Sequence, residues 1–316
     1  MGIFTKSKSF KGGIHPGEHK DLTEHLVLEV MPNPKQVIIP LNQHLGKPAK
    51  PIVKKGDVVK AGSILAEADG FVSAVIHSPV SGKITKITKG ATVTGTPKDA
   101  IVIECAETNE YEIMEKLDFN TVNAEQIRDR VKAAGIVGQG GASFPTYVKL
   151  SPPPDKKIDI VVLNGCECEP YLTRDFRLMI ERTDDVLKGL TLFMRALGVS
   201  KGAVGIEDNK PDAIAIMREA VKNYKNIEVE VVKTKYPQGA EKMLIKAVTG
   251  KEVPPGKLPM DVGVVIQNIS TAVAVSDAVC NGMPLITASL TVSGKGIKNP
   301  KNLTVPVGTT LSDVLE

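Results

Sequence analysis

The second half of the chain alternates β-branched runs with stretches of helical period, and this alternation restricts the fold more than any other feature of the sequence. Strands are predicted at residues 158–163, 203–206, 227–232 and 262–266. Helices are predicted around them, at residues 123–134, 183–197, 211–224, 240–248 and 271–279. Strands that alternate with helices favour a layered α/β domain with a largely parallel sheet.

The first part of the chain has a different texture. Residues 1–34 are predicted to be irregular, because glycines and prolines break any period. Short apolar strands separated by glycines follow, and they predict an all-β module over residues 35–116. Residues 55–59, 61–62 and 78–82 resemble the barrel-sandwich domain of biotinyl and lipoyl carriers. The hairpin stretch 67–72 lacks the Lys that such carriers modify, so we expect a scaffold role.

Charge, aromatic content and cysteine usage exclude several classes of protein. Lys and Arg number 40 against 36 Asp and Glu, and there is no Trp, which argues against a nucleic-acid partner. Four cysteines in 316 residues predict a reducing, cytoplasmic setting. The N-terminus lacks the apolar stretch of a signal peptide, and Lys6 stands where a myristoylation motif needs Ser or Thr. No apolar run approaches the ~20 residues of a membrane span. Any membrane association is therefore expected through a partner.

Four loops at predicted helix and strand junctions hold the candidate site residues. Their sequences are GQGGASFPT with Lys149 close behind, NGCECEPY, YPQGAEK and QNIST. Closely spaced glycines let backbone N–H groups approach a flat or anionic ligand, although a simple tight turn also accounts for them. Amides and hydroxyls at the start of a helix suit a phosphate, although helix capping also explains them.

Two groups of residues could instead be interpreted as metal ligands. Cys166 and Cys168 form a C-x-C, which is not a usual spacing for zinc or for a ferredoxin cluster. His15 and His19 would share a helical face, but Pro16 and Gly17 between them oppose a helix. We therefore predict no metal site in this chain.

The four loops, in this order and at these separations, resemble the flavin- and NADH-binding subunit of respiratory complex I. With the N-terminal FKGGIHPGEHK, the carrier-like module and ECEPYLTRDFRLM, the whole chain is similar to the RnfC subunits of Rnf electron-transport complexes. The resemblance implies an α/β fold in three parts: an N-terminal all-β barrel-sandwich module, a central Rossmann-like α/β FMN-binding domain over residues 117–284, and the start of a β-grasp module over residues 285–316. The predicted helix at residues 309–316 indicates a module that is not completed, as in a truncated chain.

The resemblance also implies the site residues. FMN would be bound by Gly138, Gly140, Gly141, Lys149, Asn164, Glu167, Tyr236, Gly239, Glu241, Gln267, Asn268 and Thr271. Phe144 would stack on the nicotinamide nucleotide and Glu169 would bond it, while the flavin itself carries the chemistry and no catalytic residue is assigned. Complex I subunits carry Arg where Gln139 stands and Glu where Ala240 stands, so the charge near the flavin differs.

The implied function is that of an NADH-oxidising, FMN-binding module in a membrane complex that couples electron transfer between NADH and ferredoxin to ion translocation. Its partners would be the other subunits of the complex, including the membrane subunits, and ferredoxin indirectly. It would sit peripherally on the cytoplasmic side of the membrane, and two four-iron clusters are expected only in a further C-terminal domain. Two alternatives are a flavin-dependent cobalamin reductase of similar architecture and a non-catalytic scaffold subunit with a decayed flavin site.

Overall fold

The computed structural model describes residues 7–90 and 96–316. Within them the strands are β1 (Leu28–Val30), β2 (Gln36–Pro40), β3 (Lys50–Pro51), β4 (Val58–Val59), β5 (Ile64–Glu67), β6 (Ile76–His77), β7 (Gly82–Gly90), β8 (Lys98–Cys105), β9 (Ile160–Gly165), β10 (Gly202–Glu207), β11 (Ile227–Val232), β12 (Val264–Asn268), β13 (Thr287–Val292) and β14 (Lys301–Pro306). The helices are α1 (Ala124–Ala133), α2 (Thr146–Lys149), α3 (Arg174–Glu181), α4 (Thr183–Leu197), α5 (Pro211–Ala220), α6 (Glu241–Thr249), α7 (Ile269–Ser276) and α8 (Leu311–Leu315). The predictions about a signal peptide and about Lys6 fall in part on residues 1–6, which lie outside the described residues.

Two antiparallel sheets form the predicted β-module, in the orders β2-β8-β7-β4 and β3-β5-β6. Their inward side chains make one core, in which Ile39, Leu65, Ile84 and Ile101 have no exposed surface. The hairpin stretch 67–72, which lacks the Lys of a carrier, contacts helix α2. The Tyr147 hydroxyl of α2 donates to the Phe71 carbonyl of this stretch. The module therefore packs against the α/β domain through the part that a carrier would leave free.

The α/β domain is built on a parallel sheet of order β11-β10-β9-β12. Successive residues of β9 face opposite sides: Leu163 packs with α1, α3, α4, α5 and α7, whereas Val162 packs with α6 on the other face. The chain runs outward from β9 to β11 and then returns to place β12 on the other side of β9. Strand order reverses at the β9–β12 pair, and the carboxyl ends of strands at such a reversal are where open α/β sheets bind ligands.

The predicted elements of this domain are largely confirmed. Strand β11 has the predicted bounds, and α4 ends at Gly198 in a left-handed conformation. Asn123 and Gln126 form the predicted capping box of α1. The predicted helix from residue 211 is shorter than expected, because α5 ends at Ala220 and a 3₁₀ turn over Val221–Asn223 follows. Helix α7 begins two residues early, at Ile269, since Asn268 caps it, and it passes into a π turn at Asp277–Asn281.

One expectation about the N-terminal end of the chain needs correction. Residues 1–34 are not wholly irregular: β1 pairs in parallel with β14, which in turn pairs with β13 in an antiparallel hairpin. Sequence pattern could not reveal β1, because its three residues gain their hydrogen-bond partners only from the far end of the chain. Lys8 and Ile14 also bridge to Val232 and Tyr236, so the N-terminal segment lies along the α/β domain. The three boundaries between the four predicted parts of the chain stay a prediction.

Candidate flavin site

The site lies where β9 and β12 end side by side. Asn164 and Asn268 occupy paired positions in the two strands, so the NGCECEPY and QNIST motifs start at neighbouring points of the sheet edge. The parallel register brings these motifs together, as the sequence predicts. Helix α7 starts directly at this edge, and its first-turn N–H groups carry the positive end of the helix dipole.

The glycine-rich loop between α1 and α2 is closed at its base and held over α7. Gly138 N donates to Phe144 O at 2.9 Å, and residues Val137 and Pro145 form a β-bridge. From the loop, Gln139 N donates to the Thr271 hydroxyl at 3.0 Å, while Arg174 donates to Gln139 O. The loop is therefore fixed to the first turn of α7, which joins the first and fourth predicted motifs.

Gly140 and Gly141 serve this loop in different ways. A Cβ built on Gly140 would lie 2.9 Å from both Cβ and Nδ2 of Asn268, so only glycine permits this approach. A Cβ built on Gly141 would meet no heavy atom within 4 Å, so Gly141 faces open space. The loop thus presents an uncovered backbone beside the start of α7, which is a surface that a flat or anionic ligand can approach closely.

The start of α7 is bonded to a carboxylate that sequence reasoning missed, that of Asp175 in α3. Asn268 accepts from Ser270 N at 2.8 Å and donates to Asp175 Oδ2 at 2.7 Å, and the Ser270 hydroxyl donates to Asp175 Oδ1 at 2.8 Å. Asp175 is buried, and Arg174 Nε lies 3.7 Å from its Oδ1. In the sequence, Asp175 is recognisable only as an acidic residue in the first turn of a helix. That helix, α3, is not among the predicted ones.

Lys149 joins three elements at the edge of the site. Its ammonium lies 3.1 Å from Glu241 Oε1, at the first residue of α6, and donates to Ile266 O of β12 at 3.1 Å. The side chains of Lys149 and Glu241 keep 33% and 39% of their surface exposed. Both predicted residues are therefore together and accessible to a ligand from solvent.

Glu167 lies in the loop after β9, and its buried carboxyl group contacts the first turn of α3. Its Oε1 accepts from Asp175 N at 2.7 Å, and its backbone is left-handed with φ of 51°. Burial, and next the neighbouring Asp175 carboxylate, raise the pKa of Glu167 to about 7. A neutral and an ionised form are both accessible near neutral pH, which allows this carboxyl group to donate or to accept a hydrogen bond.

The YPQGAEK loop is bonded to the NGCECEPY loop. Asn164 Nδ2 donates to Gly239 O at 2.8 Å, and Gly239 N donates to Cys168 Sγ at 3.2 Å. Burial raises the pKa of the Cys168 thiol to about 11 and that of Cys166 well above its ordinary value, so both thiols are neutral at pH 7. Within residues 7–90 and 96–316, no three His, Cys, Asp or Glu side chains converge as a metal site.

Buried amides without partners provide a test of whether the site suits FMN. Among the described residues, Gln238 Nε2 and Oε1 and Gln267 Nε2 are buried and make no hydrogen bond. Unpaired buried polar atoms are rare and call for a partner. Gln238 belongs to the YPQGAEK loop and Gln267 to the end of β12, so both unpaired amides belong to the candidate loops. With the open face of Gly141 and the N–H groups at the start of α7, these loops fit a planar group with polar edges and a phosphate tail, as FMN has.

The remaining predicted residues lie on the same loops. Phe144 is half-buried at the base of the glycine loop, and Tyr236 is 37% exposed. Glu169 is exposed on the loop of residues 166–173 between β9 and α3, here called the acidic loop. Tyr236 also exchanges two backbone hydrogen bonds with Ile14, so the N-terminal segment reaches this side of the domain. None of the helices in the described part of the chain combines the length and apolar character needed to cross a bilayer.

Two family models match the chain in separate parts. Residues 8–108 match the RnfC barrel sandwich hybrid domain, which agrees with the predicted β-module. Residues 131–277 match the Nuo51 FMN-binding domain, a range that includes all four candidate loops. A solved NAD+-reducing [NiFe]-hydrogenase in the air-oxidised state is similar at a TM-score of 0.54 and 26% identity, covering 61% of this chain and 38% of that one.

Curated relatives extend over nearly the whole chain. The C subunit of the proton-translocating ferredoxin:NAD(+) oxidoreductase complex of Clostridium ljungdahlii is 48% identical, over 98% of this chain and 68% of the relative. The C subunit of the Na(+)-translocating complex of Acetobacterium woodii is 45% identical, over 98% of this chain and 71% of the relative. The C subunit of the ion-translocating oxidoreductase complex of Rhodobacter capsulatus is 43% identical, over 98% of this chain and 60% of the relative.

Proposed function

The chain belongs to the RnfC family, the C subunits of ion-translocating ferredoxin:NAD(+) oxidoreductase complexes, and we propose that its α/β domain binds FMN and takes electrons from NADH. The observation that carries the proposal is the glycine loop held over α7 at the strand-order reversal, with Gly141 facing open space. An oxidoreductase role agrees with the names of the relatives. The match of residues 131–277 to an FMN-binding domain indicates which cofactor this part of the chain serves.

We assign the flavin contacts to the loops around this edge of the sheet. Gly138, Gly140, Gly141 and Lys149 would hold the ring, and Asn164, Glu167, Tyr236, Gly239, Glu241 and Gln267 would surround it. Asn268 and Thr271 would take the phosphate at the start of α7. In support, the loop N–H groups and the α7 dipole provide positive potential there, and Arg174 near Asp175 offsets the charge of that carboxylate.

The work of the protein in this reaction would be positioning. FMN, when bound, supplies a two-electron acceptor for the hydride of NADH, which leaves as NAD+. The chain would hold the two ring systems in contact through its closed loops, since orientation supplies much of the rate in such a transfer. Phe144 would stack on the nicotinamide nucleotide, and the exposed Glu169 would bond it.

The finer fold and the cellular setting belong to the same proposal. The order β11-β10-β9-β12 supports a Rossmann-like assignment, and the β13–β14 hairpin followed by α8 supports the start of a β-grasp module. We propose that the chain docks on other subunits of its complex at the cytoplasmic face of the membrane. Electrons would then pass toward ferredoxin through iron-sulfur centres that lie outside the 316 residues.

An anaerobic titration tests the proposal. The chain is saturated with FMN, freed of excess, and mixed with NADH while flavin absorbance is followed; bleaching is expected. Gly141→Trp should prevent FMN retention. Gly296→Trp is the matched control, because a side chain at Gly296 also meets no heavy atom within 4 Å, and it should behave as wild type. Retained FMN without bleaching would contradict NADH as the donor, and no FMN retention by wild type would favour a scaffold role.

A further inference from the structure

Lys20, in the N-terminal segment, donates to three carbonyls of the acidic loop. Its ammonium lies 2.8 Å from Glu167 O, 3.1 Å from Glu169 O and 2.6 Å from Leu172 O. The residue is 7% exposed. Burial lowers the pKa of Lys20, with Glu167 as the main opposing charge. An ammonium placed in such a position costs desolvation free energy, which the three carbonyl acceptors offset.

The acidic loop has a backbone that needs external support. Glu167 and Tyr171 are both left-handed, with φ of 51° and 70°, a region that side chains other than glycine adopt at a cost. The loop must also turn three carbonyls toward one point, where they would repel one another without a cation. Lys20 supplies that cation from a distant part of the chain.

Neighbours of Lys20 reinforce the same loop. Glu18 O accepts from Tyr171 N at 2.8 Å, the rings of His19 and Tyr171 stack with centroids 4.9 Å apart, and the hydroxyls of Thr23 and Thr173 are 2.7 Å apart. Residues 18–23 thus form one clamp on the acidic loop, here called the N-terminal clamp. The conformation of the acidic loop is therefore stabilised by the N-terminal clamp as well as by contacts within the α/β domain.

We propose that Lys20 is a positioning residue for the nicotinamide nucleotide. By fixing the carbonyls on both sides of Glu169, it holds that carboxylate where it can bond NADH. This inference rests on the proposed function, in which the acidic loop receives NADH. The glycine loop, Lys149 and α7 are held by other contacts, so we expect most of the assigned flavin contacts to survive the loss of Lys20.

Lys20→Met is the test, since Met keeps an apolar stem and removes the ammonium. Lys8→Met is the matched control: Lys8 belongs to the same segment, but its ammonium pairs with Glu230 at 2.7 Å on the far edge of the sheet. The FMN-loaded full chain is assayed for NADH-dependent reduction of ferricyanide. For Lys20→Met we expect KM for NADH to rise about 10-fold or more with kcat within roughly 3-fold of wild type. Lys8→Met should match wild type in both constants.

Hydrogen exchange separates positioning from a general structural role. In Lys20→Met, protection should fall at the Tyr171 amide and remain in β9, β10 and β11; a fall throughout the sheet would overturn the inference. An unchanged KM in Lys20→Met, while wild type bleaches with NADH, would also overturn it, whereas failure of wild type to bleach would refute the proposed function instead. If Lys20→Met does not fold, Thr23→Val replaces it, and an unchanged KM in that variant counts equally against the clamp.

Discussion

Gly140 lies against the side chain of Asn268, so closely that a Cβ on Gly140 would come within 2.9 Å of Asn268 Cβ and Nδ2. This contact joins the glycine loop to the residue that caps α7. The geometry of the loop and the start of the helix are therefore set by one another. Both are parts of the site to which we assign the flavin.

Gly140→Ala is expected to weaken FMN binding by about 10-fold or more and to lower stability by about 1–3 kcal/mol. The new methyl group must displace Asn268, whose bonds to Ser270 N and Asp175 would lengthen. Thermal unfolding and FMN titration measure both effects. Gly141→Ala is the control, because no heavy atom lies within 4 Å of its Cβ position, and it should unfold like wild type. Equal losses of stability in the two variants would contradict the contact.

Thr271→Val should destabilise the chain by about 1–3 kcal/mol, because Gln139 N loses its acceptor while the shape of the side chain is kept. FMN affinity should fall as well, since the loop is no longer fixed to α7. Thr271→Ser keeps the hydroxyl and should retain most of both quantities. Chemical denaturation followed by circular dichroism gives the stability, and wild-type behaviour of Thr271→Val would show that the bond does not hold the loop.

Lys149→Met should cost FMN affinity more than stability. The ion pair of Lys149 with Glu241 is one-third exposed, and a pair of this kind contributes only about 0.2–1 kcal/mol to folding. A ligand that covers the pair removes water from it, so the loss of affinity should reach about 10-fold, or ~1.4 kcal/mol. A double-mutant cycle with Glu241→Gln, measured by unfolding and by FMN titration, checks both numbers. A large coupling free energy between Lys149 and Glu241 in unfolding, with no change in FMN affinity, would contradict the assignment of Lys149 to the site.

Glu167→Gln should flatten the pH dependence of stability between about pH 4.5 and 7. The pKa of Glu167 is raised from its ordinary 4.5 to about 7 in the folded chain, so folding takes up a proton in that interval. The contribution of Glu167 to stability therefore falls as pH rises through this interval, by up to about 3 kcal/mol, and the neutral amide does not share this loss. Melting temperatures at pH 5 and pH 8 provide the comparison. If the melting temperatures of the two proteins change equally between pH 5 and pH 8, the pKa of Glu167 is not raised.

Sequence pattern predicted the α/β domain well because its central strands are buried on both faces and its helices carry local end signals. Strand β9 begins with a continuous apolar run from Ile160 to Leu163, and the capping box at Asn123 lies within four residues of chain. Helix α3 was missed for the opposite reason. Thr173 provides no side-chain cap, and the helix is recognisable only by the face that buries Phe176 and Met179.

The loops of the candidate site were recognised from sequence, while the residues that hold those loops in place were not. Gly140 and Asn268 belong to recognisable motifs, and the structure places them in contact. Lys20 and Asp175 have no motif of their own. Lys20 acts on Glu167 across 147 residues of sequence, and Asp175 acts on Ser270 across 95. Such contacts depend on tertiary structure, which local pattern does not contain.

The pairing of Leu28 in β1 with Asn302 in β14 has a consequence for biosynthesis. The parallel sheet of the α/β domain can form on the ribosome as soon as β12 has emerged, whereas β1 has no partner strand until β14 has been made. Asn302 also donates to Thr23 O, within the N-terminal clamp. A nascent chain can therefore form its parallel sheet before the β1-β14-β13 sheet, whose Asn302 bonds the N-terminal clamp from the last part of the chain to be made.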